Sequence, residues 1–243
     1  MTQQKLENHK KIWEDKPVLK AIYHDFYERI VAHSNTGKTL EIGGGTGNLK
    51  EYLPSVVTTD IVPSPWLDYV CDAQNLPFDD NSFDNIVAID VLHHIERPIK
   101  FFKEASRVLK KGGKIILIDP AITPLSWFFY TFIHEEPVML KVNPLEDGPL
   151  SPDRKPFDAN QAIPTLLYGR YKKLFKKSFP ELTITLCAYF SLWGYPLSGG
   201  FKPWSLIPKI LIRPLLKMES FLEPILGRIF GFRVIAVIEL SDM

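Results

Sequence analysis

Gly43, Gly45 and Gly47 recur at every second position directly after the apolar run Thr39–Ile42, and a segment able to open a helix, 48–53, follows them. A strand, a tight glycine turn and a helix start in that order make a site for a nucleotide-type cofactor. Glycine lets the backbone turn sharply and lets a ligand approach where a Cβ would stand in the way. The first turn of a helix offers free N–H groups and a partial positive charge to an anionic group. The next apolar run, 56–59, ends in Asp60. An acid at the end of the second strand is placed to hold a ribose by its hydroxyls. A further apolar run, Asn85-Ile86-Val87-Ala88-Ile89, ends in Asp90, and Val91-Leu92-His93-His94 follows it. Open α/β sheets place their ligands at such carboxyl ends. His94 is the candidate proton acceptor there, because histidine titrates near neutrality. A buried histidine that orients the loop is the alternative. His93 and His134 are secondary candidates for the same role.

The spacing also excludes a class. The dinucleotide fingerprint G-x-G-x-x-G, started from Gly43, needs a glycine where this chain has Asn48. That argues against NAD and FAD, and so against a nicotinamide oxidoreductase.

Several ordered motifs carry a resemblance. They are Leu40-Glu41-Ile42-Gly43-Gly44-Gly45-Thr46-Gly47, then Asp60, then Asp72-Ala73-Gln74-Asn75-Leu76-Pro77-Phe78, then Ser82-Phe83-Asp84, then Val91-Leu92-His93-His94-Ile95, then Leu109-Lys110-Lys111-Gly112-Gly113. Over 38–120 the sequence resembles the class I S-adenosylmethionine-dependent methyltransferases, specifically the type-11 domain group. The resemblance implies S-adenosylmethionine as cofactor. It implies that Glu41, Gly43, Gly44, Gly45 and Gly47 hold the methionine end, Asp60 and Ile61 the ribose, and Asp72 and Ala73 the adenine. A carboxylate at 72 suits the adenine amino group, which is a donor. A turn-forming aspartate is the alternative reading of Asp72. Asp90 and His94 are expected near the transferred methyl. The implied reaction is methyl transfer to an oxygen or carbon nucleophile of a small or lipophilic acceptor. A non-catalytic S-adenosylmethionine-binding module of the same fold is the alternative. The motifs say almost nothing about the acceptor.

The elements that must position these residues follow from length and pattern. The chain has 243 residues, enough for one α/β domain with insertions. The expected fold is a Rossmann-like, seven-stranded, mostly parallel sheet with helices on both faces. Its last strand is expected to run antiparallel, slotted between the fifth and sixth. The single domain, 1–243, divides into cap helices over 1–37, a cofactor-binding half over 38–120 and an acceptor-binding half over 121–243. Helical insertions are expected after strand five and between strands six and seven. Strands are read at 38–42, 56–60, 69–71, 83–90, 114–119, 182–192 and 232–240. Helices are read over 5–33 with a second start at Pro17, at 48–53, from Pro98 to the stop at Lys110-Lys111-Gly112-Gly113, over 164–179, and over 204–231. Trp13, Tyr23 and Tyr27 are either lid residues over the cofactor or core residues of amphipathic helices.

A net charge of +1 gives no pull toward nucleic acid. Two cysteines, Cys71 and Cys187, make neither a disulfide framework nor a zinc site, and no metal-ligand cluster is legible in the spacing. The polar start, Met1-Thr2-Gln3-Gln4-Lys5, is not a signal peptide, and no apolar run reaches the roughly 18 residues that span a bilayer. A cytoplasmic protein is expected. The stretch 203–230 is the exception to its ordinary composition. Lys209, Arg213 and Lys217 share one face at i, i+4 spacing among Leu, Ile and Met. Either these helices bury their apolar sides on the sheet, or they lie against the inner membrane face. The cluster Trp127-Phe128-Phe129-Tyr130 is a candidate wall for an apolar acceptor pocket.

Overall fold

The computed structural model describes residues 2–241. Its centre is β4 (Phe83–Ile89), a strand apolar on both faces because helices cover both. Parallel neighbours flank it: β1 (Thr39–Ile42) on one side and β5 (Leu109–Pro120) on the other. Beyond β1 lie β2 (Val57–Asp60) and β3 (Tyr69–Val70). Beyond β5 come β7 (Arg233–Leu240) and then β6 (Leu182–Phe190), so the order is β3-β2-β1-β4-β5-β7-β6. β7 runs antiparallel to both neighbours, slotted between the fifth and sixth strands as expected.

Side chains alternate across the sheet with the period of two that strands impose. Ile86, Ala88, Ile115, Leu117, Val234 and Ala236 face one core, which α3 (Pro98–Val108), α5 (Ile163–Tyr168) and α6 (Lys172–Ser178) cover. Val87, Ile116, Ile118, Ile235 and Val237 face the other, covered by α2 (Pro17–His33). Before α2 runs α1 (Thr2–Asp15), and Pro17 starts the second helix at a position where its missing N–H costs nothing. α4 (Pro124–Phe132) follows β5, α7 (Gly194–Ser198) follows β6, and α8 (Ile212–Phe230) leads into β7.

Four expectations need correction. The helix read at 48–53 is only a 3-10 turn, Asn48–Glu51. Six residues between Gly47 and Pro54 are too few to repay helix nucleation, and the residue before a proline avoids the helical region. α3 ends at Val108, not in the lysines. Leu109 is already extended (φ −74°, ψ 142°) and pairs with Phe83, and Lys110 reaches Asp84 at 2.8 Å. The single helix read at 164–179 is two, α5 and α6. Gly169, at φ −103° and ψ −100°, breaks it. The insertion starts late: 204–208 is not helical, but α8 then runs through Pro224 unbroken. The proline leaves the carbonyl of Ser220 without its helical donor, and Ser220 is exposed, where water can serve.

Candidate active site

The glycine turn at the end of β1 shows why each glycine is there. Gly43, Gly45 and Gly47 all have positive φ, at 64°, 50° and 75°. A Cβ on Gly43 would lie 2.3 Å from Val91 Cγ2, and one on Gly47 would lie 2.8 Å from Trp66 Cδ1. A Cβ on Gly45 would meet nothing nearer than the Gly43 carbonyl at 3.8 Å, so this position opens into free space. The Gly44 N–H donates to Thr59 O at 2.7 Å, Gly47 N–H donates to Gly44 O at 2.7 Å, and the Trp66 indole donates to Gly45 O at 2.8 Å.

Glu41 lies under this turn, 6% exposed, and its Oε2 is buried without a hydrogen-bond partner. Burial first, and the charge of Asp60 second, push its carboxyl up to about 8. Asp60 ends β2 and accepts hydrogen bonds from Gly45 N–H at 3.0 Å and Val62 N–H at 2.9 Å. It ties the second strand to the glycine turn. Asp72 makes the local turn that was its alternative reading, accepting from Gln74 N–H at 2.8 Å, while its side chain still lines the cavity.

That cavity holds about 750 Å³. It brings together Glu41, Gly43, Gly44, Gly45, Asp60, Ile61, Asp72, Ala73, Asp90 and His94 from four different segments. Gly47 is not on its wall; it shapes the turn from behind, against Trp66. Tyr23 and Tyr27 line the cavity as well as packing in the core, whereas Trp13 is core alone. The N-terminal helices are pinned across the opening. Lys16 Nζ donates to the carbonyls of Gly200, Lys202 and Trp204 at 2.7, 2.7 and 2.8 Å, and the His9 ring stacks on Phe201 at 4.5 Å.

Past the end of β4 the wall becomes polar. Asp90 sits at φ 58°, held by the Ile118 carbonyl, which accepts its N–H at 2.8 Å. Arg233 Nη1 lies 2.8 Å from Asp90 Oδ1, the Tyr23 hydroxyl donates to Asp90 Oδ2 at 3.2 Å, and the guanidinium rests 3.9 Å from the Tyr195 ring centre. Asp90 is therefore an ion-pair partner, not a free carboxylate.

His93 is buried between two carboxylates. Its Nδ1 is 2.9 Å from Asp119 Oδ1 and its Nε2 is 3.5 Å from Glu136 Oε2. Burial opposes charge on His93, but the contacts with Asp119 and Glu136 outweigh it and raise the imidazole to about 9. His94 tilts against it with ring centres 4.1 Å apart, and its Nδ1 faces the Asp158 carbonyl at 3.3 Å. Burial, then the neighbouring His93, push His94 down to about 3, so it is neutral at physiological pH and a weak base. His134 also lines the cavity, and burial lowers it too. Of the aromatic cluster, Phe129 and Tyr130 face the cavity, while Trp127 and Phe128 are 42% and 55% exposed.

Sequence spacing missed Arg233, Glu136, Gln161 and Lys16. One signal for Arg233 was present: it is the lone charge opening an otherwise apolar strand, Arg233-Val234-Ile235-Ala236-Val237-Ile238. His134-Glu135-Glu136 was visible as a polar knot, but nothing in the linear order joins it to His93. The fold does, and it brings ligand atoms of His93, His94 and Glu136 within 4.8 Å of one another, a cluster the spacing did not show.

Residues 40–117 match the family described as methyltransferase domain. A stretch of 112 residues is 31% identical to phosphatidylethanolamine N-methyltransferase of Cereibacter sphaeroides, covering 37% of this chain and 55% of that one. A stretch of 51 residues is 49% identical to probable tRNA methyltransferase 9B of Mus musculus, covering 20% of this chain and 11% of that one. The chain thus spans about half the length of the first and about a tenth of the second. Among solved structures, an S-adenosylmethionine-dependent methyltransferase of Thermotoga maritima, titled a possible histamine N-methyltransferase, superposes with a TM-score of 0.55 at 17% identity, covering 93% of this chain and 92% of that one. That likeness is one of fold.

Proposed function

We propose, from the premise that this chain carries a class I methyltransferase domain of the type-11 group, that it transfers the methyl group of S-adenosylmethionine to a lipophilic acceptor reached at an anionic membrane surface. The site fits the cofactor. Glu41 Oε2 is a buried acceptor without a donor, facing a cavity that also holds the glycine turn. An α-amino group is the donor it suits, and Gly45 leaves the open space such a ligand needs. In this reading Asp60 holds the ribose, with Ile61 beside it, and Asp72 with Ala73 holds the adenine; all four line the cavity. When bound, the sulfonium supplies an already activated methyl. The chain's own residues then have to align the acceptor and take its proton. Asp90, locked to Arg233 and Tyr23, serves as a fixed polar wall near the methyl. His94, neutral and a weak base, is a second polar group of that wall.

The observation that carries the lipophilic acceptor is an exposed apolar surface on α8 and α4, which reaches the cavity at Ile133. On α8, Phe221, Ile225 and Ile229 are 78%, 73% and 49% exposed at i, i+4, i+8 spacing. Leu206 and Ile210, just before the helix, are 71% and 83% exposed. α4 packs beside α8 and leaves Phe128, Phe132 and Ile133 exposed, and Ile133 also lines the cavity. The charges sort with this face. The two acids of α8 turn inward: Glu219 accepts from Gly194 N–H at 2.6 Å, and Glu223 pairs with Arg29 at 2.9 Å. Lys209, Arg213, Lys217 and Arg228 stay exposed. An apolar face rimmed by bases is the pattern of an interfacial helix. Among the described residues no helix is long and apolar enough to cross a membrane. The bases alone would draw either polyanion; the exposed apolar face beside them is what favours a membrane over a nucleic acid.

Co-sedimentation with anionic phosphatidylglycerol vesicles tests this reading. The wild-type chain is expected to pellet at low salt. Each basic residue near such a surface contributes about 1 kcal/mol, so changing Lys209, Arg213 and Lys217 together to Glu should weaken binding at least roughly 100-fold. A wild-type chain that stays in the supernatant at low salt would favour a small soluble acceptor.

A further inference from the structure

We infer that His93, His94 and Glu136 form a binding site for one divalent first-row transition-metal ion of the zinc type, opening into the cavity beyond Asp90. Their ligand atoms lie within 4.8 Å of one another, and all three residues line the cavity. The separation of His93 Nε2 and Glu136 Oε2 is 3.5 Å. That is longer than an ordinary hydrogen bond, about 2.7–3.2 Å. It is the spacing expected of two neighbouring donors on one ion, because donors about 2.1 Å from a tetrahedral centre sit roughly 3.4 Å apart.

The outer contacts point the same way. A metal-bound histidine normally gives its other ring N–H to a carboxylate or a carbonyl. His93 Nδ1 faces Asp119 Oδ1 at 2.9 Å, with Asp119 fully buried. His94 Nδ1 faces the Asp158 carbonyl at 3.3 Å. Each ring therefore has Nδ1 engaged on an outer partner, and His93 Nε2 turns to Glu136, a contact that a bound ion would bridge. Gln161 donates from Nε2 to Glu136 Oε2, which steadies the carboxylate, and its own Oε1 is buried with no partner. Two imidazoles and a carboxylate, with further positions open, suit Zn²⁺, Co²⁺ or Fe²⁺ rather than Mg²⁺ or Ca²⁺. The 3-10 turn Leu92–His94 presents both rings from consecutive residues, and the loop after α4 brings Glu136 to them.

Such an ion would lower the pKa of an acceptor hydroxyl bound to it, at a place where Asp90 is ion-paired and His94 is a weak base. That use rests on the methyl-transfer reading, but the site itself does not. The test therefore measures metal binding alone, without cofactor or acceptor. The chelator-treated chain is titrated with Co²⁺, followed by its visible absorption, then with Zn²⁺ in competition. One equivalent of Co²⁺ should bind and be displaced by Zn²⁺. Glu136→Gln and His94→Gln should each weaken binding at least about tenfold, the low end of what even an outer-shell partner contributes. Glu135→Gln, whose side chain is 84% exposed, should bind like wild type. Absence of saturable one-to-one binding by the wild-type chain overturns the inference, as does unchanged affinity in both ligand variants. Neither result bears on whether S-adenosylmethionine binds.

Discussion

Glu41→Gln is expected to weaken S-adenosylmethionine binding while making the ligand-free protein more stable at alkaline pH. Glu41 is buried with Oε2 unpartnered, and its carboxyl is raised from 4.5 to about 8. The sign follows from linkage. A folded-state pKa above the unfolded one means that folding takes up a proton. The stability present below pH 4.5 is lost as pH rises toward and through about 8. Glutamine carries no such dependence. Wild-type and variant melting temperatures should therefore diverge across this window, with the variant higher above pH 8. Cofactor should reverse the order, because the ammonium of its methionine end gives Glu41 the charge partner it lacks. A hydrogen bond to a charged group contributes about 1.5–3 kcal/mol, so the variant should lose roughly 10- to 100-fold in affinity. Thermal melts from pH 5 to 8.5, with and without cofactor, read both effects. Parallel curves for the two proteins would mean that Glu41 is not the methionine-end acceptor.

Arg233→Met should be the most destabilising single change at the site. It leaves Asp90 beside Tyr23 with no cation, in a wall where Arg233 itself is 2% exposed. Removing one partner of a buried ion pair typically costs about 3–5 kcal/mol. For a chain of this size each kcal/mol lowers the melting temperature by about 2–4 °C, so a fall of roughly 10 °C is expected. The double change Asp90→Asn with Arg233→Met should recover much of it, because no charge is then stranded. If Arg233→Met melts with wild type, the pair does not hold the end of β4 to β7.

The parts of the site legible in the sequence are those whose chemistry is local. The turn at Gly43, Gly45 and Gly47, the acids Asp60, Asp72 and Asp90 at the ends of their strands, and the missing glycine at Asn48 are all fixed by spacing within a few residues. Strand order followed from family resemblance, and the register of β7 against β5 bears it out. What spacing could not show is long-range. The ion pair of Asp90 was not visible because its partner, Arg233, lies 143 residues away. His94 looked like a base of ordinary strength because its burial, and then the influence of His93 held by Asp119 and Glu136, are properties of the fold. Helix extent failed for a different reason: six residues before Pro54 make only a 3-10 turn, and Gly169 divides a helix that periodicity alone continues, while Pro224, on a solvent-facing turn, does not break its helix.

The most direct test supplies the chain with S-adenosylmethionine carrying a labelled methyl, together with a membrane extract that is afterwards split into lipid and aqueous fractions. The expected result is S-adenosylhomocysteine formed in step with label in the lipid fraction, with both sharply reduced in Glu41→Gln at cofactor concentrations near wild-type half-saturation. Label confined to the aqueous fraction would contradict the lipophilic acceptor. Bound cofactor with no S-adenosylhomocysteine formed on any extract would contradict catalysis itself.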